Sequence, residues 1–82
     1  MELLNTILEP ELPFKVANAL IGLGRWSEAE IALKEALSLN PNFWEAYRDL
    51  AIVYAKEGRL EEADQMRRIY EENKHRSISP LS

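Results

Sequence analysis

Residues 47–63, YRDLAIVYAKEGRLEEA, decide the fold, because a related stretch stands 34 residues earlier. Over residues 13–29, PFKVANALIGLGRWSEA, the residues Ala17, Gly24, Arg25, Glu28 and Ala29 take the places of Ala51, Gly58, Arg59, Glu62 and Ala63. Self-similarity at a fixed period of this length marks stacked helical hairpins, each of which buries its apolar face only against its neighbours. Chains built this way usually bind other proteins, so the expected job is that of a binding or assembly module.

Working outward, four helices can be read. The first is expected over residues 11–23, where Leu12, Val16, Ala17, Leu20 and Ile21 form a stripe at helical spacing. Pro13 suits its first turn, and Gly24 closes it as a left-handed residue. The second is expected to begin at Ser27, where Ser27-x-x-Glu30 reads as a capping box, and to end at Asn40-Pro41. Its buried stripe is Ala29, Leu33, Ala36 and Leu37. The third covers about residues 43–57, with Tyr47, Leu50, Ala51 and Tyr54 inward and Gly58 beyond its end. The fourth covers about residues 61–73 and carries Ala63, Met66 and Tyr70. No alternating β-branched run suggests a strand.

The connections are short, so each helix turns back on its neighbour. Ala17 with Ala29, and Ala51 with Ala63, are expected where the paired backbones come closest. A larger side chain there should cost about 1–3 kcal/mol through overpacking.

These residues resemble the tetratricopeptide repeat, whose pattern is W-x2-L-G-x2-Y, then A-x3-F, then P. Tyr47-x2-Leu50-Ala51-x2-Tyr54 with Ala63 follows its first half closely, and Ala29-x3-Leu33 with Pro41 follows its second half. Pro13-x2-Val16-Ala17-x2-Leu20 is a looser match. The resemblance implies an all-α chain of two stacked hairpins, a fragment of a right-handed α-solenoid. A short amphipathic N-terminal helix would occupy 1–9, one repeat 10–43, the second 44–77, and a disordered tail 78–82. Arg67 and Glu71 stand where the first repeat has Leu33 and Leu37, and His75 replaces the closing proline. Those charges suggest that the fourth helix faces water and the array stops there.

The family places ligands in a concave groove lined by the first helix of each repeat. That implies a partner-binding surface of Phe14, Asn18 and Ile21 from one repeat, with Trp44, Arg48, Ile52, Ala55 and Lys56 from the other. Such a surface suits an amphipathic helix or an extended peptide; the alternative is that Phe14, Ile21 and Ile52 are scattered surface hydrophobes or pack against Met1–Glu9. Family members that grip the terminal carboxylates of chaperones use lysine and asparagine where Phe14 and Asp49 stand here. Only Asn18 matches, and Asp49 would repel a carboxylate, so that activity is set aside.

Leu3, Leu4, Ile7 and Leu8 form an apolar stripe before Pro10, which either caps the first hairpin or contacts a second copy. Two repeats fall short of the roughly three that stacks need, and self-association would supply the missing surface. A homo-oligomer is therefore the alternative to a peptide-binding module. Trp26, aligned with Leu60, reads as a packing residue, whereas Trp44 has Pro10 one period earlier and stacks on Tyr47 or under Arg48. The basic residues Arg67, Arg68, Lys74, His75 and Arg76 are interrupted by Glu71 and Glu72, and Glu71 is placed to pair with Arg67 or His75.

Catalysis has nothing to stand on: there is one histidine, no cysteine, no metal-ligand spacing and no phosphate loop. No enzyme activity, metal or cofactor is expected. The net charge of −4 argues against nucleic acid as a partner. No segment reaches the ~20 apolar residues of a membrane span, and Met1–Glu9 lacks the basic start of a secretory signal. With no cysteine to oxidise, a cytoplasmic address fits, although the lack of cysteine is also compatible with export.

Overall fold

The computed structural model describes residues 9–78, with side chains as far as residue 74. The expected N-terminal helix over 1–9 and the tail over 78–82 lie essentially outside the described residues. Between them run four helices: α1 (Glu11–Gly22), α2 (Trp26–Leu39), α3 (Trp44–Lys56) and α4 (Leu60–Ile78). The described residues contain no strand.

Both hairpins turn through the same device. After α1, Gly24 takes φ +75°, its N–H donates to Ile21 O at 3.0 Å, and the Arg25 N–H donates to Leu20 O at 2.9 Å. After α3, Gly58 takes φ +80°, with the corresponding bonds from Gly58 to Ala55 O (3.1 Å) and from Arg59 to Tyr54 O (2.8 Å). This is the Schellman arrangement, which satisfies two orphan carbonyls and needs a residue that tolerates the left-handed region. The link between repeats is different. Asn40 Oδ1 accepts the Asn42 N–H at 3.0 Å, and Tyr47 donates its hydroxyl to Pro41 O at 3.1 Å, fixing the entry into α3.

Three local expectations are corrected. The capping box does not form: α2 starts at Trp26, one residue early, because the turn leads straight into the helix, with the Ala29 N–H on Arg25 O at 3.0 Å. Ser27 is thereby inside the first turn and donates to Glu57 Oε2 at 3.4 Å, while Glu30 is drawn off to the second repeat. The stripe of α1 is only half used. Pro13 and Ala17 are buried, but Leu12 and Val16 remain 39% and 54% exposed, on the side where a preceding repeat would lie. The fourth helix also runs on to Ile78, past the expected end at residue 73.

The core is one cluster with Ala17, Ala29, Leu33, Ala46, Leu50, Val53 and Tyr54 at its centre and Ala63 at its edge. Helix α3 lies in the middle, packed on α4 within its hairpin and on α2 across the repeat boundary, with a smaller contact to α1. Its position explains why it buries Ala46, Asp49, Leu50, Val53 and Tyr54, an arc turned away from the predicted stripe, of which Tyr47 and Ala51 are only half-buried. Leu33 and Val53 are the largest side chains with no solvent contact.

Candidate functional site: an open groove on the second hairpin

Across the repeat boundary, Tyr54 donates to Glu30 Oε2 at 3.1 Å, and Arg59 reaches Glu30 Oε1 at 3.1 Å. Arg59 also bonds Glu62 (2.7 Å) and Glu57 (3.2 Å) and lies over the Tyr54 ring at 4.3 Å. Lys34 completes the group at 2.9 Å from Glu30. Burial pushes the Glu30 carboxyl up, but the Lys34 and Tyr54 hydrogen bonds and the charges of Lys34 and Arg59 together hold it below the usual carboxylate range. This network clamps the repeats together.

Asp49, 3% exposed, is the one buried polar residue among those described. Its Oδ1 meets Arg48 Nε at 3.2 Å, and its Oδ2 has no hydrogen-bond partner. Burial raises its carboxyl above the usual aspartate range, against the opposing pull of Arg48 and Asn18.

The open feature is elsewhere. Ala51, Ile52 and Ala55 of α3, with Leu60, Ala63, Asp64 and Arg67 of α4, line a groove of about 340 Å³. Its floor is made of small residues, and its walls are apolar: Ile52 is 43% exposed and Leu60 68%. Charge is confined to one rim, where Asp64 holds Arg67 at 2.6 Å and Arg68 at 2.9 Å.

The predicted partner-binding residues divide between two places. Ile52 and Ala55 line the groove, and Trp44 and Arg48 share their flank of α3 at i, i+4, i+8 and i+11. Trp44 stacks on Tyr47 at 5.8 Å, while Arg48 lies 5.9 Å over Tyr70 of α4. Lys56 is exposed at the end of α3. Phe14 and Ile21 are instead packed against the core, Phe14 meeting Phe43 edge-on at 4.9 Å. Asn18 is exposed and donates to Phe14 O within its own helix at 2.9 Å. Glu71, expected to pair with Arg67 or His75, meets Lys74 at 2.8 Å, since Arg67 is held by Asp64. The His75 side chain lies outside the described residues.

Sequence reasoning missed Ala51, Leu60, Ala63, Asp64 and Arg67 as groove residues. A signal for them existed: shifted back by 34, the lining becomes Ala17, Asn18, Ile21, Trp26, Ala29, Glu30 and Leu33. Those are positions of the first hairpin that lie under or beside α3.

Among the described residues no cluster of three or more metal-ligating side chains occurs, and no helix is long and apolar enough to cross a membrane. No curated protein and no solved structure matches the chain significantly. The family model described as tetratricopeptide repeat, however, matches residues 14–75, most of the chain and nearly all of both hairpins. Repeat spacing, the paired glycine turns and the all-helical stack agree with that match, and the chain belongs to the tetratricopeptide-repeat family.

Proposed function

We propose that this chain is a non-enzymatic protein–protein interaction module that receives an amphipathic helix in the groove between α3 and α4. The family as a whole is one of protein-interaction modules, which supports the general part of the reading. The specific part rests on one observation. The groove is the 34-residue translate of the surface on which α3 packs inside the molecule, and no helix of the described residues covers it.

The chemistry of the occupant follows from α3. It would present small and branched apolar residues at helical spacing, as α3 does with Ala46, Leu50 and Val53, and a cation for the Asp64 rim. The surface between α1 and α3 is the less favoured location, because Phe14 and Ile21 are already engaged by the core.

The test is calorimetric titration with a peptide of residues 43–59. The wild-type chain should bind it, Ile52→Glu should abolish the heat while preserving helical circular dichroism, and Asn18→Lys should leave affinity within about twofold. Binding that survives Ile52→Glu but is lost in Asn18→Lys would move the site to the surface between α1 and α3.

A further inference from the structure

We infer that the groove's occupant is a second copy of this chain, docked head to tail through the exposed outer face of its α1. The inference rests on the groove reading above and adds the identity of the partner.

The internal junction supplies the template. There, Ala46, Leu50 and Val53 of α3 pack against Ala17, Ala29 and Leu33 of the first hairpin, and Arg59 reaches back to Glu30 at 3.1 Å. Each half of that junction has a 34-residue counterpart facing outward. The counterparts of Ala46, Leu50 and Val53 are Leu12, Val16 and Ala19, and all three are exposed on α1. The counterparts of the receiving surface line the open groove on α3 and α4.

Charge complementarity repeats in the same way. Arg25 is the counterpart of Arg59, and Asp64 is the counterpart of Glu30. Arg25 already makes the local bond to Glu28 (3.3 Å) that Arg59 makes to Glu62. Its side chain is 60% exposed and only its Nε is engaged by Glu28, so it retains the donors to reach Asp64 of a neighbouring copy as Arg59 reaches Glu30. One head and one tail, each unlike the other, make a heterologous contact, so growth is stepwise and linear rather than closing at a dimer.

Two replacements make the outer junction weaker than the inner one. Lys15 stands where the inner junction has Asp49, and Arg67 where it has Leu33. The chain therefore folds through its inner junction and associates reversibly through the outer one, in a manner that salt weakens at the Arg25–Asp64 contact.

Two variants, each changing an exposed side chain, separate the halves of the contact. Val16→Glu spoils the head and Ile52→Glu the tail. Molar mass is read by light scattering and sedimentation over a concentration series, with circular dichroism as the control for folding. The expected result is a wild-type mass that keeps rising past twice the monomer, two variants that stay monomeric alone, and a dimer when the two are mixed in equal amounts. As an independent arm, Arg25→Glu should weaken assembly, and adding Asp64→Lys to the same chain should restore it. A monomeric wild type, a mass that plateaus at a closed dimer, or a mixture that stays monomeric overturns the inference. If the wild type is monomeric but binds the 43–59 peptide in an Ile52-dependent way, the partner assignment fails while the groove reading stands.

Discussion

Tyr54 and Glu30 stand 24 residues apart on different repeats and meet through a 3.1 Å hydrogen bond. The bond ties α3 to α2 at a point where the Tyr54 side chain is almost wholly buried. Lys34 and Arg59 hold the same carboxylate, so it keeps partners when the phenol is altered.

Tyr54→Phe should therefore cost about 1 kcal/mol, the net worth of one hydrogen bond, and leave the ring's contacts and the Arg59 stack in place. Urea denaturation followed by circular dichroism measures it as a lower midpoint with an unchanged slope. A loss several times larger would mean that the hydroxyl supports more of the junction than this single bond.

Asp49 gives a pH-dependent prediction of definite sign. Burial raises its folded-state pKa above the unfolded value, so the folded chain binds the proton more tightly. Its contribution to stability falls as pH rises through the interval between the two values and stays reduced above it. Asp49→Asn removes that term. The stability of the variant relative to wild type should increase from pH 3.5 to pH 7 in paired urea titrations. A difference that is flat or slopes the other way would show that the Arg48 pairing outweighs burial.

Gly58 sits at φ +80°, a conformation that costs an L-residue about 1–2 kcal/mol. Apart from its immediate chain neighbours, nothing lies within 4 Å of the place a Cβ would occupy, so the cost is conformational rather than a clash with packed neighbours. Gly58→Ala should lower stability by that amount without changing the helical spectrum, and Gly24→Ala, at φ +75°, should behave alike. Unequal losses at the two would contradict the equivalence of the turns.

Much of the fold was legible in the sequence because it is carried by local signals repeated once. Gly24 and Gly58 mark the ends of the first helices, and Ala17, Ala29 and Ala63 are buried as their spacing suggests, whereas Ala51 is half-buried and lines the groove. What the sequence did not show is which side of a helix meets another repeat. Leu12 and Val16 have the spacing of buried residues and are exposed, because no helix among the described residues packs on that side. Asp49 has the character of a surface residue and is buried, because α3 has neighbours on both flanks. The apparent capping box failed for a related reason: Glu30 is worth more to Tyr54 and Arg59, distant in sequence, than to a nearby backbone amide. The groove was half visible, through Ile52 and Ala55, but α4's share of it was hidden by reading Arg67 only as a charge.

The most direct test of the proposed groove is a residue-by-residue map of helix binding. In it, isotope-labelled Val16→Glu protein, chosen to leave the groove free, is titrated with the 43–59 peptide and followed by amide chemical shifts. The account predicts the largest changes at Ala51, Ile52, Ala55, Leu60, Ala63 and Asp64, with Phe14 and Asn18 little affected. Changes centred on Phe14 and Asn18, or none at saturating peptide, would contradict it.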